Sequence, residues 1–180
     1  MFNITEMTNE NKINLHCANQ PFDVIGRLDI RFNNGEWETS EVLLENTYCK
    51  QYPNYNGANA SDYINLNDKQ VYFAFNGSEC VGQILLSKSW NGYAHIEDIS
   101  VSKAFRCKGV GTLLLSKACE WAKENGLSAL SLECQDNNLY ASRFLIKNGF
   151  KIGGVNAELY AMLGEPYSNE TAVFWYNDNL

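Results

Sequence analysis

The chain has 180 residues, 45% of them apolar, and a formal charge of −7. That fills one core, falls short of two ordinary domains, and carries the wrong sign for a nucleic-acid partner. No apolar run reaches transmembrane length and Met1–Glu10 lacks the basic-then-apolar order of a signal peptide, which predicts a cytoplasmic protein without membrane contact.

Residues 22–32, FDVIGRLDIRF, followed by Asn33-Asn34-Gly35 and EWETSEVLL, predict a β-hairpin, because Asn-Gly supplies the positive φ of a tight turn. QYPNYNGANASDYINLND at 51–68 is polar and rich in turn formers, and is expected to be a mobile loop. VYFAF (71–75), a turn at Asn76-Gly77 and CVGQILLSK (80–88) predict a second hairpin. After a turn at Asn91-Gly92, YAHIEDISV (93–101) adds a third strand to the meander. From 109 the period becomes helical: Val110, Leu113, Leu114, Ala118, Trp121 and Ala122 recur at three- and four-residue spacings, and Gly126 supplies a stop. LSALSLEC (127–134) reads as a short buried strand. Residues 137–147 read as a second helix, with Leu139, Phe144 and Leu145 as core candidates and Gly149 as its end. FKIGGV and TAVFWY (171–176) predict two closing strands. This order of elements predicts a mixed α/β fold in a single domain spanning 1–180.

The six cysteines, at 17, 49, 80, 107, 119 and 134, are dispersed, and His16 and His95 are the only histidines. Reduced thiols and no metal site are expected. Charge is distributed unevenly. Residues 99–151 carry a local +4 and the remainder −11. A basic segment within an acidic protein suggests one surface for an anion and another for a cation. The alternative is ordinary variation over a solvated surface.

The basic segment contains RCKGVG at 106–111, between a predicted strand and a predicted helix. It is not a Walker A loop, which needs Gly-Lys-Ser/Thr, and it lacks the third glycine of a dinucleotide fingerprint. Glycines at such a junction let backbone N–H groups approach an anion closely, and the helix dipole favours negative charge there. A glycine-rich helix cap without a ligand is the competing reading.

Arg106, Gly109 and Gly111 resemble the Arg/Gln-x-x-Gly-x-Gly/Ala motif of the GNAT N-acetyltransferase superfamily. Asn138, Ala141, Phe144, Gly149 and Phe150 resemble its second element, Asn-x-x-Ala-x-x-Phe…Gly-Phe, and the two together cover about residues 70–155. The resemblance implies a GNAT fold: a central, mostly antiparallel sheet flanked by helices, with one adjacent parallel pair splayed apart. It implies acetyl-CoA as co-substrate. Arg106 would open the cofactor motif, the pyrophosphate would lie on backbone N–H groups from Cys107 to Thr112 (Cys107, Lys108, Gly109, Val110, Gly111 and Thr112), and the pantetheine arm against Asn138. The backbone at Ile99, Ser100 and Val101 would take the acetyl carbonyl and the pantetheine amides. PFDVIGR, SWNGYAHIEDISV, LECQDNN and AVFWY are similar to stretches of streptothricin acetyltransferases, which acetylate an amine of that antibiotic's β-lysine arm. A small cationic amine such as streptothricin is then the implied acceptor, in keeping with the acidic excess, and a monomer or homodimer the implied assembly. Another polyamine, an aminoglycoside, a protein amine, or CoA binding with weak catalysis are the alternatives.

Strand alternation predicts His95, Glu97, Ile99 and Val101 on one face and Asp98 on the other. Glu97 is the expected general base for an ammonium substrate, directly or through a water, and His95 the alternative. Against these stand attraction of the substrate cation for Glu97 and a half-buried strand position for His95. Asp98, Glu133 and Asp136 are expected to line a cation pocket, with solvated or loop-capping carboxylates as the alternative. Many family members carry a tyrosine after the helix phenylalanine to protonate the leaving thiolate. Leu145 stands there in this chain, and Tyr140 and Tyr160 are the nearest tyrosines in sequence.

Overall fold

Strand formers at Val71, Tyr72, Phe73, Ile84, Leu85 and Leu86 are all nearly inaccessible to solvent, which places these two strands at the centre of a sheet rather than at its edge. The computed structural model describes residues 1–53, 59–64 and 66–180. In chain order its strands are β1 (Asn3–Glu6), β2 (Phe22–Asn33), β3 (Glu36–Lys50), β4 (Lys69–Asn76), β5 (Glu79–Lys88) and β6 (Tyr93–Val101). Helix α1 (Val110–Glu124), β7 (Ala129–Gln135), α2 (Leu139–Lys147), β8 (Lys151–Asn156) and β9 (Ala172–Asn177) follow. Contacts gather these elements into two compact units, one formed by 1–22, 51–130 and 180, the other by 23–50 and 131–179. Among the described residues no helix is long and apolar enough to cross a membrane.

In the first unit the strand order is β1-β4-β5-β6, each pair antiparallel. Helix α1 packs on this sheet. Gly82 marks the contact: a Cβ there would press on Val110 and Leu114. The opposite face carries Val71, Phe73 and Leu85, covered by Met7 and Tyr63. The buried stripe of α1 differs from the expected one by one residue. Leu115 is buried and Leu113 is 42% exposed. Three consecutive leucines at 100° per residue cannot all face one sheet, and the tilt of the helix decides which one turns outward. Strand β1 carried no alternation signal and forms because β4 offers it an unpaired edge, Asn3 opposite Phe75.

In the second unit β2 and β3 form the expected hairpin, with Asn34 and Gly35 both at positive φ. The second strand runs to Lys50, beyond the expected 44. Gly26 is required by close approach, since a Cβ there would collide with the Val42 carbonyl oxygen and with Leu139. β9 lies between β7 and β8 and pairs antiparallel with β8. Of the α2 core candidates, Leu139 and Leu145 are each 1% exposed, whereas Phe144 is half-buried. Within the loop expected at 51–68, residues 54–58 and 65 lie outside the described residues. Ala60–Asp62 form a 3₁₀ turn, and the following Tyr63 is buried.

Candidate active site

The backbone between β6 and α1 changes hand twice. Cys107 has φ 61° and Gly109 φ 87°, and Gly109 is the N-cap of α1. Among the described residues no side chain caps that helix at Gly109, and its first turn carries no acid. Among the described residues nothing lies within 4 Å of where a Gly109 Cβ would be. Left-handed backbone, open space and an uncapped positive dipole end fit a pyrophosphate. Cys107 is exposed and adopts a left-handed conformation at a cost of about 1–2 kcal/mol. Lys108 lies over the Phe105 ring at 5.3 Å. The Arg106 guanidinium donates to the carbonyls of Val101, Pro21 and Gln20, each at 2.9 Å.

β6 does not alternate as expected. Leu85 pairs with Asp98 but Leu86 pairs with Ile96, so Glu97 is the extra residue of a β-bulge. Cross-strand partners share a face. His95 therefore lies with Asp98 and Ser100 on the face of Leu85 and Gln83, while Ile99 and Val101 lie with Ile96 on the other. The predicted grouping of His95, Glu97, Ile99 and Val101 against Asp98 is overturned, because one inserted residue inverts the pattern beyond it.

The bulge directs Glu97 to partners that strand periodicity does not reveal. Its side chain is 7% exposed, and Lys69 Nζ lies 3.6 Å from Oε1. The Tyr63 hydroxyl donates to Oε2 at 2.5 Å. Lys69 also lies over the Tyr63 ring, 5.0 Å from its centroid. Burial holds His95 below the ordinary imidazole value, against the attraction of Glu97, so His95 is neutral at neutral pH. Asp98 is half-buried in a hydrogen-bonded group, with Gln83 Nε2 donating at 2.6 Å and Ser100 Oγ at 3.2 Å. Gln83 Oε1 in turn accepts the His16 N–H at 2.7 Å. Burial raises the Asp98 carboxyl above its usual range despite both donors.

In the second unit Asp136 is a scaffold residue. Arg27 donates to its Oδ2 through Nε (2.8 Å) and Nη2 (2.6 Å), and Oδ1 accepts the Thr171 N–H at 3.0 Å. Asn138 caps α2, its Oδ1 accepting the Ala141 N–H at 3.1 Å. Glu133, on β7, accepts the Tyr160 hydroxyl, and Gln135 Nε2 donates to that hydroxyl at 3.0 Å. Burial raises the Glu133 carboxyl, and the Glu170 charge pushes it the same way. Glu170 itself is buried with Lys50 and accepts from Asn137 Nδ2 at 2.9 Å. Leu145 is core, whereas Tyr140 is half exposed beside Arg143. Tyr63, Lys69, Gln83, Arg27, Lys50 and Glu170 carried no motif signal. Tyr63, Lys69, Gln83, Arg27 and Lys50 lie 15 to 120 residues from the carboxylates they touch.

The Acetyltransferase (GNAT) family profile matches residues 36–150. Streptothricin acetyltransferase A of Bacillus subtilis (strain 168) is 43% identical over 173 residues, 96% of this chain and 98% of that protein. The crystal structure of a candidate streptothricin acetyltransferase from Bacillus anthracis str. Ames, in complex with acetyl coenzyme A, superimposes with a TM-score of 0.90 at 34% identity, covering 99% of both chains. The crystal structure of nourseothricin acetyltransferase reaches a TM-score of 0.81 at 22% identity over 98% of this chain and 97% of its own, a likeness of fold. The chain belongs to the GNAT acetyltransferase family and is an N-acetyltransferase that uses acetyl-CoA.

Proposed function

We propose that this enzyme transfers the acetyl group of acetyl-CoA to an amine in the β-lysine arm of streptothricin and so confers resistance to the antibiotic. The observation that carries this reading is identity of 43% with a streptothricin acetyltransferase over 96% of the chain, a range that spans the cradle and every carboxylate discussed above. The whole chain acts as one acetyltransferase domain, in the cytoplasm, as a monomer or homodimer.

Backbone N–H groups from Cys107 to Thr112 hold the pyrophosphate, Asn138 meets the pantetheine arm, and the backbone at Ile99, Ser100 and Val101 receives the thioester. An N–H aimed at the acetyl oxygen stabilises charge that develops only in the transition state. Glu97, fixed by Tyr63 and Lys69, takes the proton that the attacking amine must lose. Neutral His95 is the second candidate for that role. Glu133 attracts the cationic acceptor, and the acidic remainder of the chain steers it.

The test is incubation with acetyl-CoA and a panel of streptothricin, polyamines and aminoglycosides, read by mass spectrometry. One acetyl group gained by streptothricin, ahead of every other amine, is the expected result. Preferential acetylation of a polyamine or aminoglycoside would overturn the assignment of substrate while leaving the enzyme class intact.

A further inference from the structure

We infer that Arg106 is a positioning residue for acetyl-CoA: its guanidinium ties the loop that holds the pyrophosphate to backbone carbonyls of the N-terminal segment at Gln20 and Pro21. The inference rests on residues 107–112 being the pyrophosphate cradle.

Three carbonyls from two distant stretches of chain converge on this one side chain. Nε donates to Val101, the last residue of β6, Nη1 to Pro21 and Nη2 to Gln20, all at 2.9 Å. Gln20 holds the loop a second time, because its side-chain Oε1 accepts the Lys103 N–H at 2.7 Å. The start of the loop is pinned to the sheet where the Ser102 N–H meets the Val81 carbonyl at 2.9 Å. The N-terminal segment is itself anchored. Asn19 Nδ2 donates to the Tyr52 carbonyl and Gln51 Nε2 to the Asn19 carbonyl, each at 3.0 Å. Phe22 packs against Tyr52 with ring centroids 5.0 Å apart, and the His16 N–H reaches Gln83.

Placement explains why this matters for an anion site. Cys107, immediately after Arg106, is a non-glycine residue at φ 61°, a conformation that persists where its surroundings enforce it. With Arg106 bound on one side and α1 on the other, the N–H groups of the cradle are fixed before ligand arrives, and less ordering accompanies binding. A planar guanidinium with donors in several fixed directions can bridge three carbonyls, which the single ammonium of lysine does not reproduce. A positive charge that merely attracts phosphate would tolerate that exchange. The two roles therefore differ in their response to Arg106→Lys.

The experiment is calorimetric titration of acetyl-CoA, at several salt concentrations, into the wild-type enzyme and its Arg106→Lys, Arg106→Gln and Gln20→Ala variants. Arg106→Lys is expected to weaken acetyl-CoA binding roughly tenfold or more through misplacement of the loop. Gln20→Ala, on an exposed residue, is expected to weaken it by a smaller factor. Arg106→Gln should leave the salt dependence of Kd unchanged, since no phosphate contact is lost. The KM for acetyl-pantetheine, which lacks the pyrophosphate, should not move in Gln20→Ala, whose lost side-chain bond is to Lys103 in the loop. Wild-type affinity in Arg106→Lys together with a shallower salt dependence in Arg106→Gln would overturn the inference in favour of direct charge pairing. If the Arg106 variants fail to fold, Gln20→Ala decides, and unchanged acetyl-CoA affinity there counts against the brace. Gly109→Asp in the same titration tests the cradle separately. Retained affinity in that variant rejects the cradle whatever Arg106 does.

Discussion

Two acidic stretches, HIEDIS on β6 and LECQDNN at the end of β7, look alike and divide their carboxylates in the same way. In each, the aspartate is built into the scaffold: Asp98 through Gln83 and Ser100, Asp136 through Arg27 and the Thr171 N–H. In each, the glutamate is held by a tyrosine hydroxyl: Glu97 by Tyr63 and Glu133 by Tyr160. They differ in which charges stand nearby. Lys69 lies 3.6 Å from Glu97. Glu133 is half-buried, and desolvation, with the Glu170 charge beside it, pushes its carboxyl upward, although Lys50 partly opposes this. A sequence rich in acids thus conceals two kinds of acid. The kind is set by the donor each one meets.

The largest test of this division is Glu97→Gln. It should lower kcat by roughly 10²–10⁴-fold with little change in the acetyl-CoA KM, as expected for loss of a positioned base. His95 reports the same change by NMR, because loss of the Glu97 attraction should move its titration further down. A rise confined to the KM of the amine would instead make Glu97 an anchor for the cation. Glu133→Gln should do what Glu97→Gln does not, raising the KM of the amine about tenfold while kcat holds, as loss of uniform binding does. Raising the ionic strength should mimic it partially in the wild-type enzyme.

The aspartates should respond in stability rather than in kinetics. Arg27→Ala leaves a buried Asp136 carboxylate without its fork of donors and should cost about 1–3 kcal/mol in chemical denaturation, with kcat and both KM values unchanged. A kinetic effect from that variant would put Asp136 back among the substrate groups. The smallest effect belongs to Asp98. Its folded pKa lies above the unfolded value of about 3.8, so the native state binds the proton more tightly than the unfolded chain. Its contribution is fully present below the unfolded pKa and is lost as pH rises through the folded one. Asp98→Asn should therefore flatten the fall in Tm across that window, and an unchanged slope would mean that the carboxyl titrates as it does in water.

Local chemistry made much of the molecule legible. Asn-Gly turns, apolar strand runs and the helical spacing from Val110 onward reflect backbone preferences that act within a few residues, so hairpin, meander and helices were readable. The glycine-rich junction RCKGVG before α1 was readable for the same reason, since it depends on glycine and helix geometry at adjacent positions. The second helix and its buried Leu139 and Leu145 followed from periodicity. Where several apolar residues competed, as with Leu113 and Leu115, periodicity alone did not choose.

The chain by itself therefore determined the elements, the glycine-rich junction before α1 and the family motifs. Tertiary structure decided what each acid touches. The bulge at Glu97 arises from pairing with Leu85 and Leu86, residues of another strand, and one unpaired residue inverted the expected face of Asp98. Tyr63 and Lys69 reach Glu97 from 34 and 28 positions earlier in the chain, and Arg27 reaches Asp136 across 109. Hydrogen bonds and ion pairs act over a few ångströms in space, so which donor a carboxylate meets is written in the fold and not in the spacing of the sequence.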